Sequence, residues 1–232
     1  MIYKLPWDSD FFNLNVAKWS LERNRQLSVS EIDKYLKVYD LIYLVSKERI
    51  AFLDHKCADL KTTYIKNIEL LKQPNKSARL DSTAFNESIH SREELLDIVL
   101  QSGTYSRFNL DEKIPREKFE ALYTRWMEKG IKEREGSKIY VVPNDLNGID
   151  GFIQINIIAN LKVNIELIAV APHARGNGIA SRLLKDSCSI ARNYNIPILE
   201  VVTQDQNLAA TRLYLKNSFN LRKKEYIYHL WK

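Results

Sequence analysis

The stretch Glu166-Leu167-Ile168-Ala169-Val170-Ala171-Pro172-His173-Ala174-Arg175-Gly176-Asn177-Gly178-Ile179-Ala180 reads as an apolar strand feeding a glycine-containing turn that opens a helix. Small residues at Gly176, Gly178 and Ala180 let the backbone approach an anion, and the unpaired N–H groups of a helix start point at it. A phosphate-bearing ligand suits this turn; a tight strand-to-helix connection is the alternative on spacing alone. The turn lacks the Gly-Lys-Ser/Thr ending of a Walker loop and is not the full dinucleotide fingerprint. Metal chemistry has no comparable signal. Cys57 and Cys188 stand far apart without a Cys-x-x-Cys spacing, and His55, His90, His173 and His229 are scattered, so neither a metal site nor a disulfide framework is expected.

The elements that must position this turn can be read around it. Three strands precede or enter it, at 138–142, 151–158 and 163–170, with turn residues Pro143-Asn144-Asp145, Asn147-Gly148 and Asn160 between them, the pattern of an antiparallel meander. A helix from about Gly178 to Tyr194 follows, carrying Ile179, Leu183, Leu184, Ile190 and Ala191 toward a core. Then come a strand at 198–203, a helix at 208–216 and a strand at 226–230. Upstream, helices are expected at 93–101, closed by Gly103, and at 115–129, closed by Gly130. The second places Phe119, Leu122, Tyr123 and Trp126 on one face. The front of the chain reads as a small α/β unit. It has strands at 16–21, 41–45 and 62–68, and a helix at 32–39 announced by Ser28 and Glu31 at capping-box spacing. The polar run from Gln73 to Ser91 marks the boundary, giving a first domain at 1–75, a connection at 76–91 and a second domain at 92–232.

Arg175-x-x-Gly178-x-Ala180 after a strand ending Val170-x-Pro172 resembles the acetyl-CoA signature of the GNAT superfamily of N-acetyltransferases. The resemblance implies an α/β (α+β) fold with a mixed, mostly antiparallel, partly splayed sheet flanked by helices, here beside the smaller N-terminal α/β domain. It implies acetyl-CoA as co-substrate, without a metal. The pyrophosphate-binding amides would fall on Arg175, Gly176, Asn177, Gly178, Ile179, Ala180 and Ser181, and the strand that pairs pantetheine would include Ile168, Ala169 and Val170. The segment from Asn207 to Phe219 resembles the family's other cofactor segment, with Asn207 as a contact and Tyr214 as the general acid near the sulfur. Ser218 departs from the glycine usual before Phe219, so the turn there can differ. The alternative for Tyr214 is a core tyrosine with a hydrogen-bonded hydroxyl.

Leu5-Pro6-Trp7-Asp8-Ser9-Asp10-Phe11-Phe12, with Tyr105-Ser106-Arg107-Phe108 and Asp111, is similar to dTDP-fucosamine acetyltransferase and related nucleotide-sugar N-acetyltransferases. The implied reaction moves acetyl to the primary amine of a nucleotide-linked deoxyamino sugar. Glu166 is then the candidate base, acting through water, against a structural reading as a solvent-facing or lysine-paired carboxylate. Arg107 and Asp111 are candidate substrate residues, against a structural pairing with each other. Trp7, Phe11 and Phe12 are expected in a core or a domain interface. The rival functions are a GNAT acting on a protein or small-molecule amine, and a non-catalytic module that binds CoA or a polyanion.

The bulk properties frame these readings. The 232 residues are 45% hydrophobic, 28% charged and 10% aromatic, as in a globular protein with a real core. The net charge of +6 favours polyanions, but the basic residues are dispersed and the densest run, Arg222-Lys223-Lys224, is short, so nucleic acid is not expected as a partner. No run of about 18 apolar residues and no signal-like start is present, so a cytoplasmic enzyme without a membrane partner is expected. A homodimer is compatible with the sequence.

Overall fold

The computed structural model describes residues 1–70, 80–145 and 148–232. The turn-rich Pro74-Asn75-Lys76-Ser77 and Asn147 lie outside the described residues. Contacts divide the chain into two units. One comprises Met1–Thr62, Gln204–Gln206 and Lys223–Lys232, the other Thr63–Thr203 and Asn207–Arg222. The sequence reading ends the first domain at residue 75, whereas contacts return the C-terminal residues to the first unit.

The first unit opens with β1 (Ile2–Lys4), α1 (Pro6–Phe12), β2 (Val16–Ser20), α2 (Val29–Leu36) and β3 (Leu41–Ser46). Pro6 starts α1 where its missing N–H costs nothing, and Asn13, at φ 56°, ends it in the left-handed region that asparagine tolerates. Ser28 caps α2 by accepting from Glu31 N at 3.2 Å, as the capping-box spacing predicts. β2 pairs antiparallel with β1 and parallel with β3. Trp19, Ile42, Leu44, Tyr228 and Leu230 fill its core. The front aromatics separate: Phe12 is buried, whereas Trp7 is 48% exposed and stacks on Phe11 at 5.2 Å. A seven-residue helix can turn only one face inward, and Ser9 and Phe12 occupy it.

β4 (Cys57–Asn67) begins in the first unit and ends in the second. The second unit continues with β5 (Thr83–Ala84), α3 (Arg92–Ser102), the short α4 (Arg107–Leu110) and α5 (Arg116–Ile131). β6 (Ser137–Pro143), β7 (Ile149–Ile158), β8 (Lys162–Val170), α6 (Ile179–Asn193), β9 (Ile198–Gln204) and α7 (Leu208–Lys216) follow. β10 (Asn220–Trp231) then returns to the first unit, pairing antiparallel with β3 from Tyr226 to Trp231. That pairing is the physical reason the last residues belong with the first.

In the second unit the strands lie in the order β9-β8-β7-β6-β5. The β5 to β8 neighbours are antiparallel and β8 pairs parallel with β9, so the sheet is mixed, with helices packed on it. α6 carries Ile179, Leu183, Leu184, Ile190 and Ala191 into the core, as its apolar spacing predicts. Its buried Asp186 accepts from Ser82 N at 2.8 Å, Ser82 Oγ at 2.6 Å and Asp81 N at 3.1 Å, tying the segment before β5 onto the helix. Cys57 and Cys188 are free thiols. Among the described residues no helix is long and apolar enough to cross a membrane, and no group of His, Cys, Asp and Glu could hold a metal.

Candidate active site

β8 ends at Val170 and passes through a single 3-10 turn at Pro172–Ala174 into Gly176 and Gly178, whose φ angles are +84° and +74°. Both lie in the left-handed region that glycine adopts without penalty. A Cβ built on either glycine meets nothing within 4 Å, so the turn faces open space. Gly178 is the N-cap of the 15-residue α6 and brings no capping side chain, which leaves the first-turn amides and the positive end of the helix dipole to a ligand. Asn177 Nδ2 braces the turn by donating to Ala174 O at 3.3 Å. Arg175 donates to Val170 O and to Gln101 Oε1 on α3, each at 3.2 Å. The buried Ile179 roots the helix start in the core, with Ala180 half-buried beside it, and Ser181 meets Asn217 Nδ2 at 3.1 Å.

The strand before the turn comes apart from its neighbour. β8 and β9 pair in parallel only through Val163 with Leu199, Asn164 with Glu200 and Ile165 with Val201. Beyond that point Leu167, Ile168, Ala169 and Val170 remain paired with β7 on the other side. Ile168, Ala169 and Val170 therefore present one backbone edge without a strand partner, able to receive an extended amide-bearing chain by strand-like hydrogen bonding.

The second predicted segment closes on the same core. Asn207 caps α7, accepting from Ala210 N at 3.1 Å. Tyr214, 3% exposed, shares a core cluster with Ile168 and Val170 and packs its ring 5.7 Å from Tyr64 and 5.8 Å from Phe219. Burial pushes its hydroxyl well above the ordinary phenol range, the nearby Tyr64 adding to the shift, so it stays a neutral donor. Ser218 takes φ 62°, the left-handed value a glycine would take there, so the departure keeps the turn at a strain of roughly 1–2 kcal/mol.

A model of the Acetyltransferase (GNAT) family matches residues 104–219, half of the chain. The chain belongs to the GNAT acetyltransferase family. Members of this family are N-acetyltransferases that draw the acetyl group from acetyl-CoA. The uncapped turn, the opened strand edge and the neutral phenol fit that co-substrate. The chain is also 24% identical over 139 residues to the spore coat polysaccharide biosynthesis protein SpsD of Bacillus subtilis (strain 168), covering 60% of this chain and 47% of the relative. It thus spans about half the length of that curated relative. Among solved structures, a functionally unknown conserved protein from Staphylococcus epidermidis superposes with a TM-score of 0.68 at 13% identity, over 99% of this chain and 90% of the other. A GNAT-family acetyltransferase from Colwellia psychrerythraea superposes with a TM-score of 0.51 at 13% identity, over 91% and 75% of the two chains. These two likenesses show the fold.

Within the GNAT domain, Glu166 is neither solvent-facing nor held by a lysine alone. Its Oε1 accepts from Lys129 Nζ at 3.0 Å and Asn156 Nδ2 at 3.2 Å, and its Oε2 from Ser137 Oγ at 2.6 Å and Gln154 Nε2 at 3.0 Å. Burial acts to raise its proton affinity, but the bonds from Ser137, Lys129, Asn156 and Gln154 outweigh it and hold the carboxylate below its ordinary range. Four donors fill the roughly four lone-pair sites of a carboxylate. Sequence reading did not reach Lys129, Ser137, Gln154 or Asn156, which carry no motif and come from three separate elements.

Arg107 opens α4 and lays its guanidinium 4.4 Å from the Phe108 ring centre, a cation–π arrangement. Asp111 ends that helix: its amide donates to Arg107 O at 3.1 Å, and its Oδ1 accepts from Lys113 N at 3.0 Å. A further feature absent from the sequence reading is a pocket of about 470 Å³ against α6. Lys66, Arg182, Lys185, Arg192 and Lys216 line it, with Asp81 as the single acid among the described residues. Since Ser181 and Arg182 also belong to the first turn of α6, this basic pocket adjoins the uncapped helix start.

Proposed function

We propose that the chain transfers acetyl from acetyl-CoA to the primary amine of a nucleotide-linked, dTDP-type deoxyamino sugar. The observation that carries the acetyl-transfer reading is the parting of β8 from β9 directly before an uncapped helix start. The acceptor class is supported by the likeness of the front motifs to nucleotide-sugar N-acetyltransferases and by the polysaccharide-biosynthesis name of the Bacillus relative. The turn from Arg175 to Ser181 would hold the pyrophosphate, and the neighbouring basic pocket offers its charges to the nucleotide end. Asn207, at the start of α7, lies in the family's second cofactor segment and would contribute a further contact.

The transfer forms a carbon–nitrogen bond and breaks the carbon–sulfur bond. The amine must first lose a proton, since an ammonium has no lone pair to attack with. Negative charge gathers on the thioester oxygen during attack, and an N–H on the Ile168–Val170 edge, which has no pairing with β9, would receive it. Tyr214 then gives its hydroxyl proton to the departing sulfur and recovers one from water. The two free thiols suit the reducing cytoplasm expected for such an enzyme.

The test is CoA release over a panel of nucleotide-linked amino sugars, free amino sugars, aminoglycosides and lysine peptides. Selective turnover of the nucleotide-linked amines is expected, and turnover confined to peptides or small amines would overturn the acceptor assignment. On an accepted sugar nucleotide, Arg107→Ala is expected to raise the acceptor KM about tenfold with acetyl-CoA affinity unchanged, as loss of a charge-assisted phosphate contact would give. An unchanged acceptor KM would remove Arg107 from the site.

A further inference from the structure

Several irregularities of the second unit gather around Glu166. In the β7 to β8 ladder Gln154 opposes Leu167 and Ile155 opposes Ile165, so Glu166 is the extra residue of a β-bulge. The last residue of β8 that pairs with β9 is Ile165, directly before it. The bulge also changes which alternate side chains face the α6 core, from Val163 and Ile165 before it to Ile168 and Val170 after it. The point where the strand leaves its parallel neighbour is therefore the point where its twist is reset.

That reset is pinned from three sides. Lys129 reaches Glu166 from α5, Gln154 and Asn156 from β7, and Ser137 from the first position of β6. Gln154 Nε2 also donates to Trp126 O at 2.8 Å and to Ser137 Oγ at 2.9 Å, locking the cluster to α5. Ser137 is delivered by a turn in which Glu133, Glu135 and Gly136 all have positive φ, of 47°, 53° and 76°. The buried oxygens Gln154 Oε1 and Asn156 Oδ1 have no hydrogen-bond partner among the described residues. A half-buried carboxylate with unsatisfied buried amide oxygens beside it is a poor way to gain stability.

We propose that Glu166 is a positioning residue rather than the proton acceptor: with Lys129, Ser137, Gln154 and Asn156 it fixes the bulge that holds the Ile168–Val170 edge open for the acyl donor. The proton of the acceptor amine then goes to water. This rests on the acetyl-transfer reading above, and binding of acetyl-CoA, measured without any acceptor, tests it separately from that reading.

Ser137→Ala and Lys129→Met separate the two roles, because each removes a donor while leaving the carboxylate present and more basic. A positioning role predicts that both weaken acetyl-CoA binding by calorimetry and lower kcat by about tenfold, with Lys129→Arg recovering to within about threefold of wild type. Ile196→Ala, destabilised in the same unit but away from the bulge and the basic pocket, is expected to keep wild-type acetyl-CoA affinity and serves as the control for mere loss of stability. A base role predicts instead that Glu166→Gln lowers kcat while Ser137→Ala and Lys129→Met preserve or raise it. That pattern would overturn the proposal, as would unchanged acetyl-CoA affinity in both donor variants or an equal loss in Ile196→Ala. If no acceptor on the panel is acetylated but the affinities behave as described, the acceptor reading fails and the positioning role stands.

Discussion

Tyr214→Phe is expected to lower kcat by about ten- to a hundredfold, the lower part of the range for general acid-base catalysis. The moderate size follows from the leaving group, since a thiol with a pKa near 8.5 departs readily as thiolate and protonation helps without being indispensable. The buried phenol, held well above its ordinary range, stays protonated through neutral and mildly alkaline pH, so no alkaline limb from Tyr214 is expected there. The ring contacts with Tyr64 and Phe219 are retained in the variant, and melting temperature and acetyl-CoA affinity should stay near wild type. A folded variant with undiminished single-turnover acetyl transfer would exclude the role. Single-turnover rates are the deciding measurement because product release can mask the chemical step in kcat.

Gly178→Val should weaken acetyl-CoA binding by about a hundredfold or more, the loss of two charge-assisted amide contacts at roughly 1.5–3 kcal/mol each. The open space beyond the glycine means the valine side chain would stand where the pyrophosphate must come. At φ +74° it also carries backbone strain of roughly 1–2 kcal/mol, or about 2–8 °C in melting temperature. Ala180→Asp separates the two effects. A carboxylate in the first turn of α6 favours the helix dipole yet repels the phosphates, so affinity should fall while the melting temperature holds or rises. Wild-type affinity in both folded variants, by calorimetry, would show that the anion binds elsewhere.

Local rules made much of this protein readable from its sequence. The cap pair Ser28 and Glu31, the apolar face of α5 through Phe119, Leu122 and Tyr123, and the strand-turn-helix at 163–194 depend on neighbours within a few residues. The glycine turn followed, and its resemblance, with that of the Asn207 to Phe219 segment, to the GNAT cofactor segments implied the mixed sheet and the acetyltransferase family. The short β1 and α1 escaped notice because three strand residues and one helical face carry too little periodicity to stand out. β10 extends well before 226 because Arg222-Lys223-Lys224 lies on exposed strand, where a polar run shows no alternation.

The character of Glu166 was settled at long range. Its partners Lys129, Ser137, Gln154 and Asn156 lie 37, 29, 12 and 10 residues earlier. Strand register brings Ser137, Gln154 and Asn156 to one carboxylate and the packing of α5 brings Lys129, and a shift of one residue in register would turn each strand side chain to the opposite face. The same holds for the end of β8 pairing at Ile165 and for Lys66 of β4 meeting Lys216 of α7 in one basic pocket. The sequence determined which segments could bind an anion and donate a proton. The tertiary structure alone decided which carboxylate is bound up in the scaffold and where the strands part, because register and bulges are set by contacts between elements and leave no local pattern in the chain.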